Sequence, residues 1–389
     1  MQLFRRDRAL LVSCVLVSML LGAGSALLGV CGPFTDVAAD AFCPFVLEIF
    51  YLGITTGTTP TTYDPAGNVS RLQMAAFLSR TVDGTLKRGG RRAALRQFWT
   101  TQGPINLGIT TLLANGIESD GANLWISAAI GHVQHVAADT GRLLETWTGA
   151  DSGLGVLPAM GKIFIVGKTS PSGKLYQIDP SQPPGAVTTV AANLGENPIF
   201  AAFDGGRIWT ANRADLSPGS GSVSVVTPQA SLPWTVTTIS FGFNLPVDVL
   251  YDGSSLWVSD LLANALLRLN PAGAILQTVT VGMSPTFPVF DGANIWVPNN
   301  GSNSVSVVRA SSGAVLATLT GNGLNTPYSA SFDGQRVLIT NFGAATVSLW
   351  NAAGLTEIGT FSIPATSGQA RSDGLNFWLI LSSGSLGRF

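Results

Sequence analysis

Charged side chains are scarce in this sequence. They make up 11% of its 389 residues, and the formal net charge is −1. Because the chain has no excess of basic residues, neither nucleic acid nor an anionic membrane surface is expected as a partner. Few charges combined with 45 glycines are not typical of a helical bundle or a disordered tail. They favour an all-β protein with many tight turns.

Histidine is rarer still, since His132 and His135 are the only two in the chain. On a helix, residues three apart would share a face and could bind a metal. The repeat described below places one in a loop and the other on a strand, where positions three apart point to opposite faces, so no shared metal site is expected. A serine-hydrolase triad needs histidine as its general base, and neither histidine stands near a nucleophile motif.

Other chemical motifs are also missing. The sequence contains no phosphate-binding loop, no Cys-x-x-Cys pair and no EF-hand pattern. Asp-Gly pairs recur, but turn chemistry accounts for them, and the nearby carboxylates are too sparse for a calcium cage. The sequence therefore assigns no catalytic residue, no metal ligand and no cofactor.

The N-terminus has the layout of a secretory signal peptide. Three arginines among the first eight residues precede an apolar run over 9–21, and small residues follow at 22–26. The apolar run is shorter than the roughly 20 residues that a membrane span needs. Residues 1–26 are therefore interpreted as a cleaved signal peptide, with no stable membrane span after cleavage, and an uncleaved N-terminal anchor is the alternative.

Only three cysteines are present, and Cys14 lies within the signal segment. Cys31 and Cys43 remain as an even pair, twelve residues apart. In an oxidising compartment outside the cytoplasm such a pair is expected to form one disulfide. Two unpaired, buried thiols are the alternative.

One pattern returns along the chain from about residue 103. An Asp-Gly pair is followed by a short hydrophobic strand in six copies, which start at Asp120, Asp204, Asp252, Asp291, Asp333 and Asp373. A seventh, eroded copy has Met160 in place of the aspartate, and successive copies lie between 39 and 48 residues apart. That is the period of a four-stranded propeller blade, so the repeats predict an all-β, seven-bladed β-propeller over residues 97–389.

A bulky residue follows each turn at one fixed position. The set is Trp125, Phe164, Trp209, Trp257, Trp296, Leu338 and Trp378. These side chains could form a ring of ligand platforms, but a large residue at one position of every blade is better explained as filling the space between neighbouring blades. The last copy ends before its outer strand, and we expect residues 97–102 to supply that strand and close the ring.

The ends of the second strands carry a family resemblance. The segments Ile208–Asn212 (IWTAN), Ile295–Asn299 (IWVPN) and Val337–Asn341 (VLITN) resemble the YVTN family of β-propeller repeats, found on prokaryotic surface and exported proteins. The resemblance covers residues 103–389 and implies an architecture rather than an activity, because such propellers include both enzymes and binding platforms. Virginiamycin B lyase is also a seven-bladed propeller, but its mechanism calls for a histidine at the channel mouth, and no blade beyond the first contains one.

Residues 33–82 resemble one S-layer homology motif. The resemblance rests on the segments FTDV at 34–37, LGITTG at 52–57, YDP at 63–65 and VSRLQMAAFL at 69–78. It predicts a small helical module over 31–82, with a first helix over 44–52. In this family the motif usually occurs in threes and binds cell-wall polysaccharide, which would give Asp36, Phe42 and Arg71 glycan-binding roles here. A single copy, with phenylalanine for the usual tryptophan and no acidic partner for Arg71, leaves a packing or oligomerising cap as the alternative.

The basic run at 87–92, within a linker over 83–96, separates the module from the propeller. A solvated linker is the preferred interpretation of this run, and contact with an anionic wall polymer is the alternative. The longest loop between second and third strands runs from Asn212 to Ser222. Arg213 and Asp215 in it are expected to contribute to a partner site, and drift in the length of a surface loop is the alternative.

Together these features predict a secreted or cell-envelope propeller that acts as a binding or scaffold protein. Its expected partners are cell-wall polysaccharide or a surface protein, and the N-terminal module would dock it to the envelope. A propeller-channel enzyme, similar to virginiamycin B lyase or a cofactor-dependent oxidoreductase, is the alternative. A cluster of carboxylates and histidine at one channel mouth would favour the enzyme, and loops without one would favour binding.

Overall fold

The computed structural model divides the chain into two compact units, Met1–Arg91 and Arg92–Phe389. The residues that the structure describes are 30–31, 33–38, 43–51, 55, 57–69, 73–74, 77–78, 105–110, 114–138, 140–214 and 217–389. The expected signal peptide and the basic linker run lie outside these residues. Among the described helices, none has the length and apolar character needed to cross a bilayer.

The N-terminal unit mixes strands with a helix. Strands β1 (Val30–Cys31) and β2 (Phe34–Ala38) pair in antiparallel fashion, and helix α1 (Cys43–Tyr51) follows. The helix lies within one residue of the prediction at each end. The purely helical module expected from the sequence is wrong in one respect, because the segment that begins at Phe34 is extended and pairs with residues 30–31. A buried cluster of Cys31, Phe34 and Val37 forms the centre of this unit.

The larger unit consists of seven four-stranded antiparallel sheets, each of which is one blade. The first three blades contain β4 (Ala114–Ser119), β5 (Asn123–Ala128), β6 (His132–Ala137) and β7 (Leu143–Thr148); β8 (Gly153–Ala159), β9 (Lys162–Gly167), β10 (Gly173–Ile178) and β11 (Thr188–Leu194); and β12 (Pro198–Phe203), β13 (Ile208–Asn212), β14 (Ser222–Thr227) and β15 (Thr235–Ile239).

The remaining blades follow the same order. They contain β16 (Pro246–Tyr251), β17 (Leu256–Asp260), β18 (Ala265–Leu269) and β19 (Ile275–Thr280); β20 (Val289–Phe290), β21 (Asn294–Asn299), β22 (Ser304–Arg309) and β23 (Val315–Leu319); β24 (Pro327–Phe332), β25 (Arg336–Asn341), β26 (Thr346–Asn351) and β27 (Thr356–Ser362); and β28 (Ser367–Ser372), β29 (Phe377–Leu381), β30 (Ser385–Arg388) and β3 (Ile105–Thr110). The predicted seven-bladed all-β architecture is confirmed.

Ring closure uses a different segment from the one expected. The last blade takes its outer strand from β3, which pairs with β30 through Ile105 opposite Arg388 and Asn106 opposite Gly387. The expectation of residues 97–102 is therefore wrong, although the outer strand does come from before the first blade. Residues 105–110 alternate apolar with small or polar side chains, and three residues separate them from β4. They therefore suit a strand that leads directly into the first blade.

A repeated side-chain contact stabilises the Asp-Gly turns. In each intact copy one carboxylate oxygen accepts the backbone N–H groups two and three residues later, as Asp291 does from Ala293 and Asn294. The other oxygen accepts the indole N–H of the tryptophan five residues on at 2.7–2.8 Å, in the pairs Asp120–Trp125, Asp204–Trp209, Asp252–Trp257, Asp291–Trp296 and Asp373–Trp378. All five indoles are buried in the hydrophobic core.

Candidate functional site

A cavity of about 480 Å³ lies at one end of the ring, where the innermost strands begin. The first strands of neighbouring blades contact each other around the axis, and the loops between second and third strands surround their starting ends. The lining residues from the first strands include Asn115, Leu154, Phe200, Tyr328 and Gln369. A volume of this size is within the range of roughly 300–1,000 Å³ that is common for small-molecule sites.

Aromatic rings form one wall of this cavity. Phe200 contacts Phe287 edge to face at a centroid distance of 4.9 Å, and Phe287 contacts Tyr328 in the same way at 4.9 Å. Tyr328 in turn lies 5.3 Å from Phe342, whose side chain is 54% exposed. The rings belong to the third, fifth and sixth blades, so this wall is a product of the closed ring rather than of any single repeat.

Phe287 reaches this wall because its segment leaves its own sheet. Pro285 and Pro288 flank it and have no N–H for a regular strand ladder. Phe287 instead donates its N–H to the carbonyl of Tyr328 at 3.2 Å and accepts the N–H of Ala330 at 3.0 Å. The innermost strand of the fifth blade is therefore short, and Phe287 is fixed against the first strand of the sixth blade.

Two cationic side chains line the same cavity, Lys168 and Arg213. Each is the first residue after the second strand of its blade, so they occupy equivalent positions in adjacent blades. The N–H of Lys168 donates to the carbonyl of Ser152 at 3.0 Å, and that of Arg213 donates to the carbonyl of Asn197 at 3.1 Å. These bonds tie both positions to the segments that lead into the first strands.

The charges at the mouth act on one another. Burial and the nearby positive charge of Arg213 lower the pKa of Lys168. Burial raises the pKa of Tyr328, and the charge of Arg213 opposes that increase. Arg213, from the third blade, is thus close enough to influence a phenol of the sixth blade across the mouth. Among the described lining residues there is no aspartate, glutamate or histidine.

The seventh blade supplies the open side of the cavity. Gly368 lies on β28, and an added Cβ there would meet only the Tyr328 ring at 3.6–3.9 Å, which is ordinary contact. Its neighbour Gln369 is 5% exposed, and its side-chain oxygen has no hydrogen-bond partner among the described residues. The small side chain at 368 leaves room beside the aromatic wall.

An ionic cluster, of which only Asp248 is fully buried, lies in the ring adjacent to this wall. Arg371 donates from Nε to Oε2 of Glu118 at 2.7 Å, and its guanidinium carbon lies 5.9 Å from the centre of the Phe200 ring. Asp248, 5% exposed, interacts electrostatically with both groups. Burial raises the pKa of Asp248 to about 7, and the charge of Arg371 opposes that increase. The cluster links the first, fourth and seventh blades through charge.

Four of the seven residues predicted as sites lie among the described residues. Arg213 lies at the cavity, whereas Asp215, Phe42 and Arg71 lie outside the described residues, so their predicted roles stay predictions. Asp36 accepts the backbone N–H of Tyr63 at 2.8 Å and that of Asp64 at 2.7 Å, and these bonds lower its pKa. It therefore braces the loop of the N-terminal unit, and its glycan-binding role stays a prediction. Cys31 and Cys43 are joined by a disulfide with a Cα–Cα distance of 5.4 Å.

Both histidines lie on β6, and neither lines the cavity. His135 stacks on Trp125 with ring centroids 3.9 Å apart, and its Nδ1 is 3.1 Å from a carboxylate oxygen of Glu145. His132 is exposed. No group of three potential metal ligands occurs within the part of the chain that the structure describes.

Sequence reasoning missed Lys168, the aromatic wall and Gln369. Lys168 could have been found by aligning the residue after each second strand, because VGK in the second blade is equivalent to ANR in the third. The other residues carry no signal of this kind. Phe200, Phe287, Tyr328 and Gln369 read as ordinary hydrophobic or polar positions of a strand until the ring brings their blades together.

Comparisons with known proteins give different results for the two units. Residues 33–75 match the S-layer homology domain family. No curated protein matches the chain. Solved structures that match number 1477, so similarity of this kind identifies an architecture rather than an activity.

Three of these structures are two lyases and a synthase. Virginiamycin B lyase from Staphylococcus aureus, in a catalytically inactive histidine-to-alanine form with quinupristin, is 15% identical, covers 73% of this chain and 97% of its own, and has a TM-score of 0.61. A streptogramin B lyase is 15% identical over 73% of this chain and 95% of its own, with a TM-score of 0.59. Hydrazine synthase from Kuenenia stuttgartiensis is 14% identical over 75% of this chain and 98% of its own, also with a TM-score of 0.59.

At these identities the solved structures define the fold alone. The YVTN-type repeat agrees with the propeller, and membership of that repeat family stays a prediction. An S-layer homology domain indicates a protein of the cell surface or envelope. The chain thus contains an S-layer homology domain at residues 33–75 and, from residue 105 onward, a seven-bladed β-propeller.

Proposed function

We propose that this protein is an exported envelope protein that binds a small ligand in the cavity of its propeller and docks to the cell wall through its N-terminal domain. The observation that carries the proposal is the cavity itself. It combines an aromatic wall with two cations at the mouth. Apolar surface with a few convergent polar groups is the usual composition of a binding site.

Binding is a better explanation of this cavity than catalysis. General acid–base chemistry most often uses histidine or a carboxylate. The described lining residues include Lys168 and Tyr328, but no carboxylate or histidine to pair with them. The lyase alternative is weakened further because both histidines of the chain lie on β6, the third strand of the first blade. The similarity to virginiamycin B lyase is therefore a similarity of fold, and it gives no support to a lyase reaction here.

The docking part of the proposal rests on the S-layer homology domain, since such domains bind cell-wall polymers. Export through the N-terminal signal peptide would bring the protein to that location. We propose Asp36, Phe42 and Arg71 as the glycan-binding positions of the domain. A protein held at the wall by one unit and open at the propeller mouth would retain a ligand near the cell surface.

Blocking the cavity tests the binding role. Gly368→Phe would add a ring at the cavity, and its Cβ would meet only the Tyr328 ring, at 3.6–3.9 Å. A panel of wall glycans, muropeptides, organic acids and phosphates is screened by thermal shift against the full chain and against this variant. We expect at least one compound to raise the melting temperature of the wild type and not of the variant. A panel in which no compound separates the two proteins would contradict the proposal.

The same samples test for turnover. Each stabilising compound, and quinupristin as a lyase substrate, is incubated with the full chain and examined by mass spectrometry. Unchanged masses are expected for a binding protein. A cleaved or isomerised product that disappears in Gly368→Phe would establish an enzyme in place of the binding role.

Sedimentation with cell walls tests the docking role. The full chain should co-sediment with Gram-positive sacculi that retain their wall polysaccharide, and less with sacculi stripped of it by acid. Arg71→Ala should weaken co-sedimentation without lowering the melting temperature, whereas Arg309→Ala, an exposed change on the propeller, should have no effect. Equal sedimentation of all three proteins with both preparations would rule out docking through this domain.

A further inference from the structure

The chemistry of the cavity narrows the class of ligand, provided that the proposed binding role holds. Lys168 and Arg213 place two positive charges at one mouth from equivalent positions of adjacent blades. The equivalent residues of the next three blades are Leu261, Asn300 and Phe342. The positive charge is therefore concentrated on one side of the mouth, and Phe342 marks the apolar side.

Neither cation forms an ion pair with a described carboxylate. The ion pairs of the described residues involve other side chains. Glu196, in the segment next to Arg213, directs its carboxylate to the hydroxyl of Ser170 at 2.6 Å. Asp215 lies outside the described residues, and its effect on binding is tested by a substitution of its own. Arg213 lowers the pKa of Lys168, and an anion bound beside two neighbouring cations would stabilise both charges.

Two buried polar atoms at the cavity have no partner among the described residues. One is Nε of Arg213, a donor, and the other is the side-chain oxygen of Gln369, an acceptor. Both atoms are closed off from the cavity, so neither is assigned a contact with the ligand.

The aromatic wall defines the rest of the ligand. Phe200, Phe287 and Tyr328 present contiguous apolar surface, and the exposed ring of Phe342 extends it to the rim. Gly368 keeps the facing side open. An apolar body packed against these rings would leave its charged end at Lys168 and Arg213.

We infer that the cavity binds a small amphipathic anion, with its carboxylate or phosphate held by Lys168 and Arg213 and its apolar body packed on the aromatic wall. A free organic acid and an acidic wall fragment share this chemistry. The arms of the experiment below separate the charged groups from one another.

Matched probes test the charge and the apolar body separately. N-acetyl-L-phenylalanine carries a ring, an amide N–H and a carboxylate, and N-acetyl-L-phenylalaninamide is its neutral counterpart. N-acetyl-L-alanine lacks the ring, and phenyl phosphate replaces the carboxylate. Binding to the full chain is measured by calorimetry. Loss of a charge-assisted hydrogen bond should weaken the amide by about tenfold or more relative to the acid, and loss of the ring should weaken N-acetyl-L-alanine similarly.

Substitutions of Lys168 and Arg213 test whether these two side chains hold the anionic group of the ligand. Arg213→Gln and Lys168→Gln should each reduce the affinity for the acid and leave the affinity for the neutral amide unchanged, while Arg309→Gln should affect neither. Asp215→Asn should increase the affinity for the acid if that carboxylate competes for Arg213, and otherwise leave it unchanged. Melting temperatures of all variants should stay near that of the wild type, because these substitutions remove no described ion pair.

The outcomes separate this inference from the proposed function. Equal affinity for the acid and the amide, unchanged in Arg213→Gln and Lys168→Gln but lost in Gly368→Phe, would overturn the anion and leave the binding cavity standing. Absence of binding by every probe overturns the inference, and the thermal-shift panel then decides the proposed function independently. Tighter binding of phenyl phosphate than of the acid would assign the mouth to phosphates.

Discussion

Trp296 donates its indole N–H to the second carboxylate oxygen of Asp291 at 2.8 Å, five residues earlier in the chain. The same aspartate closes its turn with the first oxygen. One side chain therefore fixes both the hairpin and the orientation of a buried ring that packs in the core. The repeated Asp-Gly motif is required for more than the turn.

Replacing Asp291 tests this double role. Asp291→Asn retains the oxygen that closes the turn but can place an amide NH₂ opposite the indole N–H. We expect the free energy of unfolding to fall by about 1–3 kcal/mol, the usual cost of leaving a buried donor without its partner. Chemical denaturation measures the change, and the exposed Glu357→Gln serves as the control. Identical unfolding curves for Asp291→Asn and wild type would show that the indole bond contributes nothing to stability.

Deletions test the closure of the ring. Removing residues 105–110 takes away the outer strand of the last blade and exposes the edge of β30, so the melting temperature should fall sharply and the protein should tend to aggregate. Removing residues 97–102 should have a smaller effect, and removing the linker run 87–92 should have almost none. Thermal unfolding monitored by circular dichroism provides the comparison. If removing 97–102 or 87–92 lowered the melting temperature as much as removing 105–110, the prediction would be wrong.

Asp248 should make the stability of the propeller depend on pH. Its pKa of about 7 in the folded protein is above the ordinary value near 4 in an unfolded chain, so between these values the folded state binds the extra proton. Stability is then highest below the unfolded pKa and decreases as pH rises through the folded pKa. Arg371 and Glu118 are the charged groups that interact with it, one favouring and the other opposing its ionised form.

The Asn variant isolates this effect. Asp248→Asn removes the titrating group, so its melting temperature should fall less than that of the wild type between about pH 5 and pH 8. The melting temperature of Asp248→Asn minus that of the wild type should therefore increase with pH. Glu357→Gln, an exposed change, should keep the wild-type slope. Parallel pH profiles for Asp248→Asn and wild type would mean that Asp248 does not titrate in this range.

If the proposed signal peptide is removed together with Cys14, the disulfide between Cys31 and Cys43 predicts a mature protein without a free thiol. Thiol labelling of unreduced, denatured mature protein should give no adduct, and labelling after reduction should give two. Closing a short loop in a small unit stabilises it chiefly by restricting the unfolded chain. Reduction should therefore destabilise the N-terminal unit and leave the melting of the propeller unchanged. Any adduct before reduction would contradict the pairing.

The repeats by themselves determined the architecture. Their period, the recurring Asp-Gly turns and a bulky residue such as Trp257 at one fixed position were enough to predict seven four-stranded blades, because these are local features of each copy. Helix α1 was predictable for the same reason. The segment that closes the ring was not, since a strand that pairs 275 or more residues away has no local signal that distinguishes residues 105–110 from 97–102.

The tertiary structure alone decided the cavity. Arg213 was expected in a long loop, but its role at a shared mouth appears only when Lys168 of the neighbouring blade and Tyr328 from across the ring are placed beside it. Phe287 depends on two prolines that divert its segment to another blade. A closed ring brings together the ends of strands that are far apart in sequence, and the sequence of one blade carries no information about which side chains the other blades will present there.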